Sequence, residues 1–334
     1  MLYFKVKKNI LFISIILINF FIINSAYSNE VSFNNDSWNK WLITLKKEVI
    51  ENGVSNQTIN SIFPKIQPIK RVIELDRNQP EFKLTFNQYL NRVVTKKRIE
   101  KGRKYFIENR NILNEVYISI GVQPRFIVAL WGIETDFGRL TGGFKVIDAL
   151  ATLAFEGRRA KYFRKELINA IKIVDQGHIT YEKMYGSWAG AMGQPQFMPS
   201  SFLNFAIDYD NDGKRDIWTN KKDVFASASN YLKKSGWDKS KTWGREVLIP
   251  KEFAEELVNN KKKRYLDEWQ KLGVRKINGE DLPKRKIKAR LVKPDKKNYK
   301  VYLVYDNFDT ILKWNRSNFF ALSVGILSDQ IAKK

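Results

Sequence analysis

The chain has 334 residues, 43% of them hydrophobic and 13% aromatic, which excludes a disordered or fibrous protein and allows one large domain or a few smaller ones. Cysteine is absent and His178 is the sole histidine, so disulfide scaffolds, thiolate chemistry, cysteine-bound zinc and multi-histidine metal sites are excluded. The formal net charge of +24 attracts polyanions, whether nucleic acid, anionic lipid or an acidic cell-wall polymer, unless the lysines merely furnish solvated faces.

Residues 1–28 read as a cleavable export signal. Lys5, Lys7 and Lys8 precede an apolar run from Ile10 to Ile23, and the small residues Ala26 and Ser28 mark the cut. An uncleaved anchor is the alternative, because the run is long for a signal. Either way the body of the chain is exported, which argues against nucleic acid as a partner. Removing the leader takes three lysines and no acids, leaving +21.

Residues 29–120 form a helical region, with Trp38, Trp41, Leu42 and Leu45 at helical spacing and Pro80 as an interruption. Gly121 and Pro124 open a new segment, 121–245, in which Phe126 to Trp131 is apolar on every side and predicts a helix buried all round. Further helices are expected over 159–174, 201–207 and 222–234, with His178 in a turn or at the surface. The Gly- and Pro-rich stretch from Gly186 to Ser200 is expected to be loop. Residues 246–305 read as a small α+β insertion, with strands at 247–250, 286–292 and 299–305 and a helical piece near 254–272. Residues 306–334 return to the helical body. The fold class is α+β, mainly α.

Glu134 and Asp136 end the buried segment. Two residues apart on a helix, they point away from each other and cannot share one substrate face. Glu134 lies near the C-terminal end, where the helix dipole is negative and the surroundings apolar, and both conditions raise a carboxyl pKa. A protonated carboxylic acid near neutral pH suits glycosidic cleavage as general acid. No second carboxylate stands on that face, so a nucleophile supplied by the substrate would complete the reaction. A solvent-facing Glu at a helix end is the plain alternative. Asp136 is expected to serve structure, pairing with Arg139.

The stretch Asp208-Tyr-Asp-Asn-Asp-Gly-Lys-Arg-Asp216 follows a calcium loop, with acids at the first, third and fifth positions and glycine at the sixth. Lys214 would offer its carbonyl. The twelfth position is Thr219 rather than Glu, so a bidentate ligand would have to come from Asp223. In the competing reading Asn220 caps a helix with Asp223 three residues on.

Gly132-Ile-Glu-Thr-Asp-Phe-Gly-Arg139, Asp148-Ala-Leu-Ala-Thr-Leu-Ala-Phe155, Gly186-Ser-Trp-Ala-Gly-Ala-Met-Gly193, Gln196-Phe-Met-Pro-Ser-Ser201 and Trp314-Asn-Arg-Ser317 stand in this order. Together, from about Trp38 to Ile331, they resemble the membrane-bound lytic transglycosylase B family of glycoside hydrolases. The resemblance implies a lysozyme-like helical core, a helical N-terminal region and a small β-containing domain. It also implies cleavage of the β-1,4 bond between N-acetylmuramic acid and N-acetylglucosamine in peptidoglycan, the muramic 6-hydroxyl closing on C1 to give a 1,6-anhydro end. On its motifs Glu134 would be the acid and then the base. Ser187 and Gln196 would bind sugar substituents or support the oxocarbenium-like intermediate, Asn315 would hydrogen-bond the acid or the sugar, and Tyr89 would reach the cleft. Asp208, Asp210, Asp212, Lys214 and Asp223 would hold a structural calcium, and no organic cofactor is implied.

Two departures stand out: Gln194-Pro195 replaces an expected Tyr-Gly, and Trp314 replaces a common Tyr. With no lipid-carrying cysteine, free periplasmic residence as a monomer is expected. Glycan strands would be the partner, together with cell-wall synthesis or remodelling proteins. The rival readings are a hydrolytic muramidase of the same fold and a non-catalytic wall-binding protein.

Overall fold

Apolar spacing of three and four winds the first part of the chain into α1 (Asn35–Glu51), α2 (Asn56–Ile62), α3 (Lys70–Arg77), α4 (Phe86–Val93), α5 (Lys96–Glu108) and α6 (Arg110–Ile120). The structure, a computed structural model, describes residues 34–78, 84–156, 158–297 and 300–333; the expected leader and Pro80 lie outside them. Short polar side chains set the helix starts. Asn34, Ser55, Thr85 and Thr95 each accept a main-chain N–H from the turn they precede, a bond worth about 1 kcal/mol.

Left-handed Gly121 stops α6, and Pro124 opens α7 (Pro124–Thr135). Phe126 to Gly132 are all buried, as the all-round apolar pattern predicts. The strand β1 (Phe144–Lys145) and the helix α8 (Val146–Glu156) follow, then α9 (Ala160–Asp175). Neither β1 nor α8 is among the sequence expectations. α8 is buried on every face, even along the narrow polar stripe of Asp148 and Thr152, so its pattern does not read as an ordinary amphipathic helix, and β1 is too short to alternate. β1 pairs antiparallel with β2 (Tyr185–Gly186), and the loop to Met198 leads into α10 (Pro199–Phe205) and, past the acidic loop, α11 (Lys221–Lys234).

Beyond α11 the chain lays down β3 (Gly244–Leu248), β4 (Arg264–Tyr265), α12 (Leu266–Lys271), β5 (Arg275–Lys276), β6 (Lys288–Val292) and β7 (Val301–Val304). The strands form one sheet in the order β4-β6-β7-β3-β5, every pair antiparallel. The helical piece expected near 254–272 shrinks to α12 and a single 3-10 turn at Glu255–Leu257. Asn259 adopts φ 60°, and Asn259 to Lys263 carry no apolar side chain to bury, so a helix there has no packing face. β7 is buried on both sides: Val301 and Leu303 join a small core around Trp269, while Tyr302 and Val304 face the helices.

α13 (Asp306–Trp314) and α14 (Asn318–Ala332) complete the helical body. One large core gathers α6, α7, α11, α13 and α14; a second gathers α1, α2, α8, α9 and α10. Tyr231 and Trp314 pack against both and mark the seam between them. Among the described residues no single helix is long and apolar enough to cross a membrane.

Candidate active site

The site begins where α7 stops. The helix ends at Thr135, and Asp136 (φ 48°), Phe137 (φ 63°) and Gly138 (φ 81°) are all left-handed. The cost at the two non-glycine residues, about 1–2 kcal/mol each, is offset by what the reversal gains. Phe137 folds back under the helix and packs edge-on against Trp131, with Tyr105 alongside. Gly132 makes room for it: a Cβ there would stand 2.7 Å from the Phe137 ring.

In that last turn Glu134 is half-buried, and its Oε1 accepts the indole N–H of Trp314 at 2.8 Å. Burial pushes its carboxyl up to about 7, against the indole bond, which favours the ionised form. The side chain keeps some access to solvent, so the dense protein around it, rather than complete enclosure, desolvates it. Asp136 turns elsewhere, to Lys101 Nζ at 3.0 Å and Arg139 Nε at 2.8 Å. Burial would raise its carboxyl, but these two cations hold it below the usual range.

Tyr89 of α4 lies within electrostatic reach of the acid. Burial, with the Glu134 charge adding to it, pushes its phenol up to about 12. Asn315 differs from expectation in one arm. It ends α13, is exposed, and its Oδ1 accepts the Ser317 N–H at 3.1 Å; the hydrogen bond to the acid comes from the preceding Trp314. Ser187 Oγ accepts the Ala191 N–H at 3.0 Å, leaving the hydroxyl hydrogen free to be donated. Gln196 sits at φ 51° and spends its amide nitrogen on the carbonyls of Gly193 and Thr141, so that half of the side chain braces the loop.

Sequence reasoning missed two residues. Trp314, registered only as a departure, is the donor to the acid. Gln194, the other departure, is buried and ties the last turn of α7 to the loops around it. Its Oε1 accepts the Trp131 indole N–H at 2.7 Å, its carbonyl accepts the Thr135 hydroxyl at 2.9 Å, and its amide nitrogen donates to the Trp218 carbonyl at 2.8 Å. The signal was present in both cases, since each departure substitutes a side chain with a different donor inventory.

In the acidic loop, carboxylate oxygens of Asp208, Asp210 and Asp212 all lie within 4.8 Å of one another. Hard oxygen donors in a loop turned by Gly213 (φ 89°) fit calcium. Asp223 stands outside this close group. Its two oxygens accept the Tyr209 and Asp216 N–H groups at 2.8 and 2.7 Å, which latches the loop to α11. It is fully buried, and burial, with Asp210 and Asp208 adding, pushes it up to about 6 against those two bonds. Asn220 caps α11, as the competing reading has it. His178 lies in the turn after α9, its Nδ1 accepting the Arg215 N–H at 3.3 Å.

Helical cores of this kind, meeting beside one raised carboxyl, are those of lysozyme-like enzymes that cut peptidoglycan, and comparison with known proteins puts the chain in that class. The transglycosylase SLT domain family matches residues 37–329, and the chain belongs to it. It is 29% identical over 299 residues to the membrane-bound lytic murein transglycosylase B of Escherichia coli (strain K12), spanning 86% of this chain and 81% of that protein. SltB3 of Pseudomonas aeruginosa, solved in complex with NAG-anhNAM-pentapeptide, is similar with a TM-score of 0.85 and 39% identity, over 88% of this chain and 79% of that one. The Escherichia coli lytic transglycosylase Slt35, solved in complex with calcium, is similar with a TM-score of 0.73 and 28% identity, over 90% of this chain and 93% of that one. The chain is a lytic murein transglycosylase, and the family resemblance carried by its motifs is borne out.

Proposed function

We propose that Glu134 alone makes both proton transfers, cutting between N-acetylmuramic acid and N-acetylglucosamine and leaving a 1,6-anhydromuramic end. The observation that carries this reading is the carboxyl itself: half-buried, raised to about 7, and bonded to a neutral donor, while Asp136 is committed to two cations. Near neutral pH a substantial share of the enzyme holds the proton needed at the glycosidic oxygen. The bond from C1 breaks with its electron pair passing to the leaving oxygen, which takes that proton. The carboxylate then removes the hydrogen of the muramic 6-hydroxyl as O6 bonds to C1, and Glu134 is neutral again. No water is consumed, so no second acid is required. The anhydro sugar in the SltB3 complex supports the same outcome for this chain.

Around the acid, Tyr89, Ser187, Gln196 and Asn315 would contact the sugars, Ser187 through its free hydrogen and Gln196 through its amide oxygen. Asp208, Asp210 and Asp212, with the Lys214 carbonyl, would hold calcium, whose chemistry is structural: it would neutralise three like charges and fix the loop. The chain would act in the periplasm after loss of residues 1–28, as a monomer on glycan strands, with residues 246–305 as a small insertion in the helical body.

Mass spectrometry of the fragments released from purified sacculi tests the reaction. Muropeptides lighter by one water than their reducing-end counterparts are expected. Reducing-end muramic acid as the main product would mean a hydrolytic muramidase instead.

A further inference from the structure

We infer that Trp314 is the positioning residue of the acid: its indole N–H holds Glu134 Oε1 as a standing acceptor, confining the transferable proton to Oε2. The inference rests on the acid role proposed above. An indole nitrogen donates and cannot accept. Among the described residues its 2.8 Å bond is the one hydrogen bond the Glu134 carboxyl makes. In the neutral acid one oxygen carries hydrogen, and hydrogen on Oε1 would set two donors against each other in a desolvated place. Oε1 is therefore the carbonyl oxygen of the neutral acid, and it remains the bonded oxygen after ionisation.

The indole is itself held. Its ring packs against Phe197 with centroids 5.2 Å apart and against Tyr231 at 4.8 Å. The Tyr231 hydroxyl in turn donates to the Lys313 carbonyl at 2.7 Å, fixing the last turn of α13. Phe197 adjoins Gln196, so the ring that aims the acid also rests on the loop expected to meet the sugar. A phenol in place of this indole could turn from donor to acceptor and would allow the proton on either oxygen. With the indole, Oε2 gives its hydrogen to the leaving oxygen and later takes the hydrogen of the 6-hydroxyl. The same atom serves both half-reactions, and the carboxyl need not rotate between them.

Two measurements on the full-length enzyme test this. In a proton–nitrogen correlation spectrum the Trp314 indole resonance, assigned by its loss in Trp314→Phe, should shift with pH through a single midpoint and stay flat in Glu134→Gln. In Trp314→Phe the alkaline limb of the kcat profile should move to higher pH, because a bond favouring the ionised form is gone. There kcat should fall by roughly tenfold or more while KM changes little, and Trp314→His, which restores a ring N–H, should recover part of the loss. A Trp314 resonance that ignores pH, or a Trp314→Phe profile unchanged in height and position, overturns the inference while an inactive Glu134→Gln leaves the acid role standing. A fully active Glu134→Gln sinks both. Where Trp314→Phe folds poorly, through-space contacts of the indole N–H to the Phe197 and Tyr231 rings assign the resonance in the native chain, so the test still decides the matter.

Discussion

The carboxyl of Glu134 is pulled both ways, since burial favours its neutral form and the Trp314 indole its ionised form, and the net result is about 7 against an ordinary 4.5. Such a group also costs stability. The native chain binds more protons here than the unfolded chain between those two values, so stability falls as pH rises from about 4.5 to about 7. At about pH 8 Glu134→Gln should therefore be more stable than the parent by roughly 1–3 kcal/mol, discounted for partial solvent access, and below about pH 4 the gap should close. Calorimetry of the pair at the two pH values checks this, and a gap of equal size at both would show that ionisation is not its source. Much of this residue was legible in the sequence, since the apolar run implies burial and a raised pKa. Its separation from Asp136 arises differently, from the left-handed turn after Thr135 rather than from i, i+2 spacing on one helix. Its partner was not legible, because Trp314 is 180 residues away and only the tertiary fold brings them together.

Along α7 a glycine inverts the usual propensity. In an exposed helix interior, replacing glycine by alanine gains about 1 kcal/mol. At Gly132 a Cβ would meet the Phe137 ring at 2.7 Å, and that ring is wedged between Tyr105 and Trp131. Gly132→Ala should instead destabilise by about 1–3 kcal/mol and lower kcat, because Glu134 rides on the turn that Phe137 folds under. Denaturant unfolding together with turnover of sacculi checks both, and a stabilised, fully active variant would mean that Phe137 can give way without cost. Elements with one apolar face or a clear start signal were readable, as at Pro124 and Asn220. α8 was not, being buried on every side with its few polar residues included, and the β1–β2 ribbon was too short to show a period. The helical reading near 254–272 failed for a related reason: local composition hid the lack of a face to bury around Asn259.

Across the whole molecule the acidic loop runs between the two cores, leaving α10 in one and entering α11 in the other. Ile207 and Tyr209, at the near end of the loop, pack against the core of α11, while Ile217, at its far end, is buried in the core of α10. A cation closing the loop would therefore fasten one core to the other. The acid spacing was legible from Asp208 to Gly213, but the bonds of Asp223 to the Tyr209 and Asp216 N–H groups were not, because they depend on where α11 begins. Binding to the native chain alone, at a hundredfold excess over Kd, adds about 2.7 kcal/mol, which for a chain of this size raises Tm by roughly 4 °C. Excess calcium should produce such a rise, chelation should reverse it, and Asp208→Asn combined with Asp210→Asn should abolish the response. Asp223→Asn should behave differently: it removes one charged acceptor from a buried latch, so Tm should drop with calcium and with chelator alike while the gap between them persists. A parent Tm indifferent to calcium would remove the metal from this loop. A calcium response lost in Asp223→Asn alone would return that residue to the ligand set and make the triad insufficient.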